Sequence, residues 1–230
     1  MSNQKDINNA KKAAGIAAAD LVQEGMIVGL GTGSTVAYFI PRLGERCQEG
    51  LNISAVASSI PSYEQAKSEG IPLININSRT SLDLTVDGAD EIDQKKRMIK
   101  GGGGALFREK IIAGMSKELV VIVDEEKLVD HLGRFPLAVE ISSFAYLATL
   151  AKLEELGYPG ALRKDQNGEI YLSENGNYLV DVKLQYPCMN PEHDDEQIQS
   201  LPGVIETGFF FNMAGRVIIG FHDGHFEIFP

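Results

Sequence analysis

Met26-Ile27-Val28-Gly29-Leu30-Gly31-Thr32-Gly33-Ser34-Thr35 decides how this chain is read. A short apolar run stops in a glycine-rich turn, and residues 34–47 then carry helical spacing. A strand that ends in glycine and feeds a helix opens a βαβ unit. The same alternation extends outward on both sides. Residues 7–22 are Ala-rich and amphipathic, a helix closed by Gly25. Further strands are expected at 53–57, 73–76, 82–86 and 119–123, separated by helices at 61–69 and 101–115. Apolar runs of this length alternating with helices specify a parallel sheet buried on both faces.

Beyond residue 132 the alternation changes. A strand at 137–141 and a helix at 143–156, closed by Gly157, precede two turn signals, Asn167-Gly168 and Asn175-Gly176. Asn-Gly pairs favour type I′ hairpin turns, in which both central residues take positive φ. A helix at 192–200 and strands at 204–211 and 216–221 follow, and His222-Asp223-Gly224-His225 reads as a turn. The expected architecture is α/β: a parallel-sheet domain of residues 1–131 plus 207–230, carrying a smaller α+β domain of residues 132–206.

The 230 residues hold 21 Lys and Arg against 32 Asp and Glu, a net charge of −11. So acidic a surface argues against nucleic acid as a partner, because phosphate backbones attract basic faces. A small anionic ligand needs only local cations and oriented amides. Cys47 and Cys188 form neither a disulfide framework nor a zinc spacing, which fits a reducing compartment. No stretch reaches the ~18 uninterrupted apolar residues of a membrane span, and the N-terminus has no signal-like apolar core. The expected setting is cytoplasmic, with no membrane partner.

Four segments carry candidate chemistry. Thr32, Gly33, Ser34 and Thr35 lie where backbone amides and a helix N-terminus meet an anion. The other reading of this loop is a turn with Ser34 or Thr35 as helix cap. A dinucleotide site is disfavoured: position 34 is Ser where the fingerprint needs its third glycine, and no acid ends the next strand. A P-loop is excluded for want of Gly-Lys-Ser/Thr. Second, Asp87-Gly88-Ala89-Asp90-Glu91 follows a strand directly and puts two carboxylates three residues apart at a sheet edge. Its register does not fit an EF-hand, and a solvated acidic turn is the plainer alternative. Third, Lys100 precedes four glycines, Gly101, Gly102, Gly103 and Gly104. Such a run costs conformational entropy, so it marks close approach or unusual φ unless it is a linker. Glu109 follows in the next helix, and Lys127 lies just past the strand at 119–123; each alone reads as surface charge. The four histidines show no metal-ligand spacing, and no metal is expected.

Taken together these segments resemble the A-type family of ribose 5-phosphate isomerases. The match is carried by Gly31-Thr32-Gly33-Ser34-Thr35, Val86-Asp87-Gly88-Ala89-Asp90-Glu91-Ile92, Lys100-Gly101-Gly102-Gly103 and Arg108-Glu109-Lys110-Ile111-Ile112, and by Lys127 before Gly133-Arg134-Phe135-Pro136-Leu137. The resemblance implies cofactor-free interconversion of D-ribose 5-phosphate and D-ribulose 5-phosphate on a Rossmann-like domain with a ferredoxin-like second domain at the subunit interface. It implies Glu109 as base; for such a reaction Asp87 is the catalytic candidate for opening the ring and Lys100 for meeting the oxyanion. Thr32, Gly33, Ser34 and Thr35 would face the phosphate. Asp87, Gly88, Ala89, Asp90, Lys100, Gly101, Gly102, Gly103 and Lys127 would hold the sugar. It further implies a homodimer or homotetramer. The turn Ala57-Ser58-Ser59-Ile60-Pro61 is less polar than relatives keep there and is set outside the site. A non-catalytic sugar-phosphate sensor is the alternative function, and acyl-CoA transfer wants a larger cleft than this chain offers.

Overall fold

The computed structural model describes residues 4–230, which divide into two units. The first comprises the described residues up to Ala89, Arg108–Leu128 and Met213–Pro230; the second comprises Asp90–Phe107 and Val129–Asn212. Residues 90–107, expected in the first unit, therefore pack with the second.

The first unit contains α1 (Gln4–Ala19), β1 (Ile27–Leu30), α2 (Val36–Gln48), β2 (Ser54–Ala57), α3 (Ile60–Ser68) and β3 (Leu84–Asp87). Its sheet is completed by β6 (Leu119–Asp124), β13 (Ala214–Gly220) and β14 (Phe226–Phe229), in the order β14-β13-β6-β3-β1-β2. All neighbours are parallel except the last hairpin, β13 with β14. This is the Rossmann-like doubly wound arrangement, with every residue of β3 and β6 buried. Val28, Leu30, Ala55, Leu84, Val86, Val120 and Ile122 point to one face, where they meet Ala14, Ala18, Phe39 and Leu43. Val56, Leu82 and Ile112 cluster separately, as the two-residue strand period requires. The alanines of α1 serve packing as well as propensity. A Cβ on Gly220 would lie 1.9 Å from the Ala10 carbonyl oxygen, and one on Gly15 2.9 Å from the Phe39 nitrogen. The helix backbone thus lies directly on its neighbours.

The strand expected at 73–76 does not form. Leu73 makes one parallel bridge to Ala55, and Ile76–Ser78 turns into a 3-10 helix. Asn75 causes the turn, its side-chain oxygen accepting from the Asn77 N–H at 2.9 Å.

The second unit contains β4 (Glu91–Asp93), β5 (Met98–Ile99), β8 (Leu137–Ile141), α5 (Tyr146–Glu155), β9 (Gly160–Leu162), β10 (Tyr178–Val182), α6 (Pro191–Gln199), β11 (Val204–Thr207) and β12 (Phe209–Phe210). The run β8-α5-β9-β10-α6-β11 forms an antiparallel sheet in the order β11-β8-β10-β9, the ferredoxin-like pattern. A second small sheet joins β12, β5 and β4, with β7 (Leu128–Val129) at its edge. The strand expected at 204–211 is broken at Gly208, where a Cβ would lie 2.2 Å from the Lys100 carbonyl oxygen.

Neither Asn-Gly turn is type I′. Gly168 (φ 82) and Gly176 (φ 78) are left-handed, but Asn167 and Asn175 are not among the positive-φ residues. Each is a three-residue loop closed by glycine. The residue two before each Asn wins the local competition: Asp165 Oδ1 accepts from the Asn167 and Glu169 N–H groups, and Ser173 Oγ from those of Asn175 and Asn177.

Candidate active site

From β1 the chain crosses to β2 on one side and later to β3 on the other. Where adjacent strands lead off in opposite directions, the loops at their C-terminal ends diverge and leave a crevice. In the first unit those loops are Gly31-Thr32-Gly33-Ser34-Thr35 and Asp87-Gly88-Ala89. They are tied together at Asp87, which is 1% exposed. Its Oδ1 accepts from the Thr32 N–H at 3.0 Å and from the Gly88 N–H at 2.8 Å.

The glycines of this turn have distinct causes. A Cβ on Gly31 would lie 2.2 Å from the Asp87 Cγ and Oδ1, and one on Gly29 2.0 Å from the Thr85 Oγ1. Gly33 has open space around it but takes φ +122. Two glycines therefore admit the neighbouring strand, and one makes the turn. Thr35 precedes α2 without a side-chain capping bond, so the cap alternative does not describe it. Gly33 and Ser34 are exposed and Thr35 is buried.

The turn set aside after β2 adjoins this loop. Thr32 Oγ1 donates to Ser59 Oγ at 2.7 Å and lies 2.8 Å from Ser58 Oγ, while Ser62 Oγ donates to the Gly31 carbonyl at 2.6 Å. Ser58, Ser59 and Ser62 are all buried. The signal available in the sequence was positional: residues that end a strand beside β1 must reach the end of β1.

Helix α4 (Leu106–Met115) begins in the second unit and continues in the first, starting later than expected because Gly101 to Gly104 form a turn. Its C-terminal end is bonded to the start of β3, Leu82 N–H to the Met115 carbonyl, so it runs antiparallel to the strands. Six residues before Met115, Glu109 lies about 9 Å along the helix axis toward the strands' C-terminal ends. It is 4% exposed, unlike a solvated surface acid. Lys127 ends the 3-10 turn after β6, which Asp124 caps by accepting from the Glu126 N–H, and it is partly exposed.

The second unit holds the remaining candidates. Asp90 Oδ2 accepts from the Gly102 N–H at 2.8 Å. Its neighbour Glu91 turns inward, accepting from the Gly133 and Phe135 N–H groups at 2.7 and 2.6 Å. Both oxygens of Glu91 are thus committed to backbone amides. Lys100 is 3% exposed, its ammonium 5.4 Å from the Phe210 ring centroid, and its N–H donates to the Gly208 carbonyl. Gly101 and Gly104 take φ of 110 and 81, so the glycine run is a folded loop and not a linker. Gly102 and Gly103 are exposed, and Gly88 and Ala89 are half-buried. Arg163, which carries no motif, reaches this loop: its Nη1 donates to the Gly101 carbonyl at 2.7 Å.

Among the described residues, no group of three or more His, Cys, Asp and Glu side chains is placed to hold a metal ion. His222 faces Glu125 and Glu126, and His225 bonds Asp223 within the β13–β14 turn. No described helix is long and apolar enough to cross a membrane.

Residues 54–224 match the model of the family described as ribose 5-phosphate isomerase A (phosphoriboisomerase A). The chain is 52% identical over 227 residues to a ribose-5-phosphate isomerase A of Protochlamydia amoebophila, covering 99% of this chain and 98% of that protein. Among solved structures, a ribose 5-phosphate isomerase from Plasmodium falciparum superposes with a TM-score of 0.92 at 35% identity, covering 97% of this chain and 98% of that one. A D-ribose-5-phosphate isomerase in complex with phospho-erythronic acid superposes at 0.90 and 35%, covering 96% and 97%.

Proposed function

The chain belongs to the ribose 5-phosphate isomerase A family and isomerises ribose 5-phosphate; from that premise we propose that it forms D-ribulose 5-phosphate reversibly through an enediolate, with Glu109 as the base. The observation that carries this reading is the buried carboxylate of Glu109, on a helix aimed toward the strand ends at which Thr32 and Asp87 are joined.

Asp87 opens the furanose by exchanging a proton with the ring oxygen and the anomeric hydroxyl. Glu109 then removes the proton from C2 and returns it to C1, while a second proton passes from O2 to O1, so no net oxidation occurs. The base works by general acid–base catalysis. Charge that develops on the two oxygens is met by the Lys100 ammonium and the amides of Gly101 and Gly103, while the Gly102 N–H holds the Asp90 carboxylate. Asp90 and Lys127 orient hydroxyls. Thr32, Gly33, Ser34 and Thr35 take the phosphate at the N-terminus of α2, where the helix dipole favours an anion. Phospho-erythronic acid, which a similar isomerase binds and whose planar carboxylate offers two oxygens as an enediolate does, is expected to compete with the substrate here. The reaction belongs to the non-oxidative pentose phosphate pathway in the cytoplasm, carried out by a homodimer or homotetramer.

The test is ketose formation from D-ribose 5-phosphate by purified protein, with and without EDTA, beside Glu109→Gln. Turnover unaffected by EDTA and lowered on the order of 10²–10⁴-fold in kcat by the substitution is expected. A folded Glu109→Gln protein with near-normal kcat would refute the assignment of the base.

A further inference from the structure

Four consecutive glycines carry no side chains with which to fix their own backbone, so their conformation must be imposed from outside. The constraint comes from Arg163. Its Nη1 donates to the Gly101 carbonyl at 2.7 Å and to the Gly102 carbonyl at 3.3 Å. The other edge of the guanidinium is held by Asp181, Nε donating to Oδ2 at 3.1 Å and Nη2 to Oδ1. Both residues stand on the antiparallel sheet: Asp181 pairs with Ala161 and Ala138, and the Arg163 N–H donates to the Leu179 carbonyl. The Arg163 side chain is 15% exposed. Tyr171, in the same hairpin, closes the far end of the loop, its hydroxyl 2.5 Å from where a Cβ on Gly104 would sit.

A trans peptide is planar, so a carbonyl and the following N–H point in opposite directions. With the Gly101 carbonyl on Arg163, the Gly102 N–H is turned to the other side, where it meets the Asp90 carboxylate. With the Gly102 carbonyl also on Arg163, the Gly103 N–H is turned to that same side. Arginine suits the task because one planar fork can hold a carboxylate and two carbonyls at once, which the single ammonium of lysine cannot.

We propose that Arg163, locked by Asp181, is a positioning residue of the isomerase, which holds the Gly102 amide on Asp90 and aims the Gly103 amide at an oxygen of the enediolate. This rests on the reaction proposed above. Misplacing such donors by about 1 Å costs on the order of 10²-fold in rate. The expected loss is therefore in kcat, since donors matched to the enediolate contribute little to ground-state binding.

The experiment compares the full chain with Arg163→Met, Arg163→Lys, Asp181→Asn and the Arg163→Met/Asp181→Asn pair, each shown folded by circular dichroism and urea unfolding. Arg163→Met should lower kcat on the order of 10²-fold with KM for D-ribose 5-phosphate nearly unchanged, and should raise Ki for phospho-erythronic acid in parallel. Ki for inorganic phosphate should not move. Arg163→Lys should restore part of the rate, and the double variant should cost no more than Arg163→Met alone. A folded Arg163→Met or Asp181→Asn protein with wild-type kcat would overturn the proposal, as would a parallel rise in Ki for both inhibitors. Binding of phospho-erythronic acid by a wild-type chain without turnover would instead sink the proposed reaction. In that case an unchanged Ki in Arg163→Met would still overturn the clamp.

Discussion

Replacing Gly31 by alanine tests whether that glycine exists for the neighbouring strand and not for the ligand. The new Cβ would lie 2.2 Å from the Asp87 Cγ and Oδ1 and 2.6 Å from the Asp87 Cα. Carbon atoms in contact sit about 3.5–4.0 Å apart, so the Asp87 backbone would have to retreat by roughly 1 Å. It cannot do so freely, because β3 is paired with β1 on one side and β6 on the other, Asp87 standing opposite Val121. Overpacking of this kind costs about 1–3 kcal/mol and occasionally more. The displaced carboxylate also loosens its bonds to the Thr32 and Gly88 N–H groups, each worth about 1.5–3 kcal/mol. A loss of at least ~3 kcal/mol follows, which lowers Tm by roughly 6–12 °C for a chain of this size. Gly33→Ala is the control: its Cβ meets nothing within 4 Å, and its cost is only the strain of φ +122, about 1–3 kcal/mol. The assay is urea unfolding and thermal melting of both variants, with kcat and KM for D-ribose 5-phosphate measured on the folded protein. Gly31→Ala should be the less stable of the two and should also lose kcat, since Asp87 moves. If Gly31→Ala costs under ~1 kcal/mol and keeps normal turnover, the reasoning about strand proximity fails.

Glu91→Gln should destabilise by on the order of 3 kcal/mol in urea unfolding, because the Gly133 and Phe135 N–H groups bond separate oxygens and one of these becomes an NH2 donor; an unchanged midpoint would show that those bonds carry little. Thr32→Val removes the hydroxyl that bonds Ser58 and Ser59 and should raise KM about 10-fold or less with a smaller effect on kcat, read by steady-state kinetics. Burial, aided by the Asp194 carboxylate that accepts from its thiol, pushes Cys188 up to about 12. Iodoacetamide should therefore spare Cys188 at pH 8 in native protein and label it once unfolded. A thiol raised in the folded state contributes stability fully present below its unfolded value of 9.0 and lost as pH rises toward 12. Cys188→Ala should flatten that decline in pH-dependent melts, and an unchanged slope would contradict it.

Where the deciding interactions lie within a few residues, the fold was legible before any coordinates. The apolar runs at β1, β3 and β6 are buried on both faces, and their period and length alone announce parallel strands. The glycine turn after β1 and the acid that ends β3 follow from strand ends meeting at the point where the winding reverses. The hairpin of β4 and β5 has strands of three and two residues, too short for any pattern to register. The turns at Gly168 and Gly176 differ from type I′ because Asp165 and Ser173, two residues before each Asn, bond the backbone first.

Sequence by itself determined the fold class, the family and the segments proposed to bear chemistry, because helix and strand periods, turn residues and clustered motifs are properties of neighbouring positions. Tertiary structure alone decided why Gly31 is glycine, that Ser58, Ser59 and Ser62 gather at Thr32, that Glu91 is spent on Gly133 and Phe135, and that Arg163 holds the glycine loop. Each of those contacts joins residues 26 to 62 positions apart. Their partners are set by which strands lie side by side, and no local spacing encodes that.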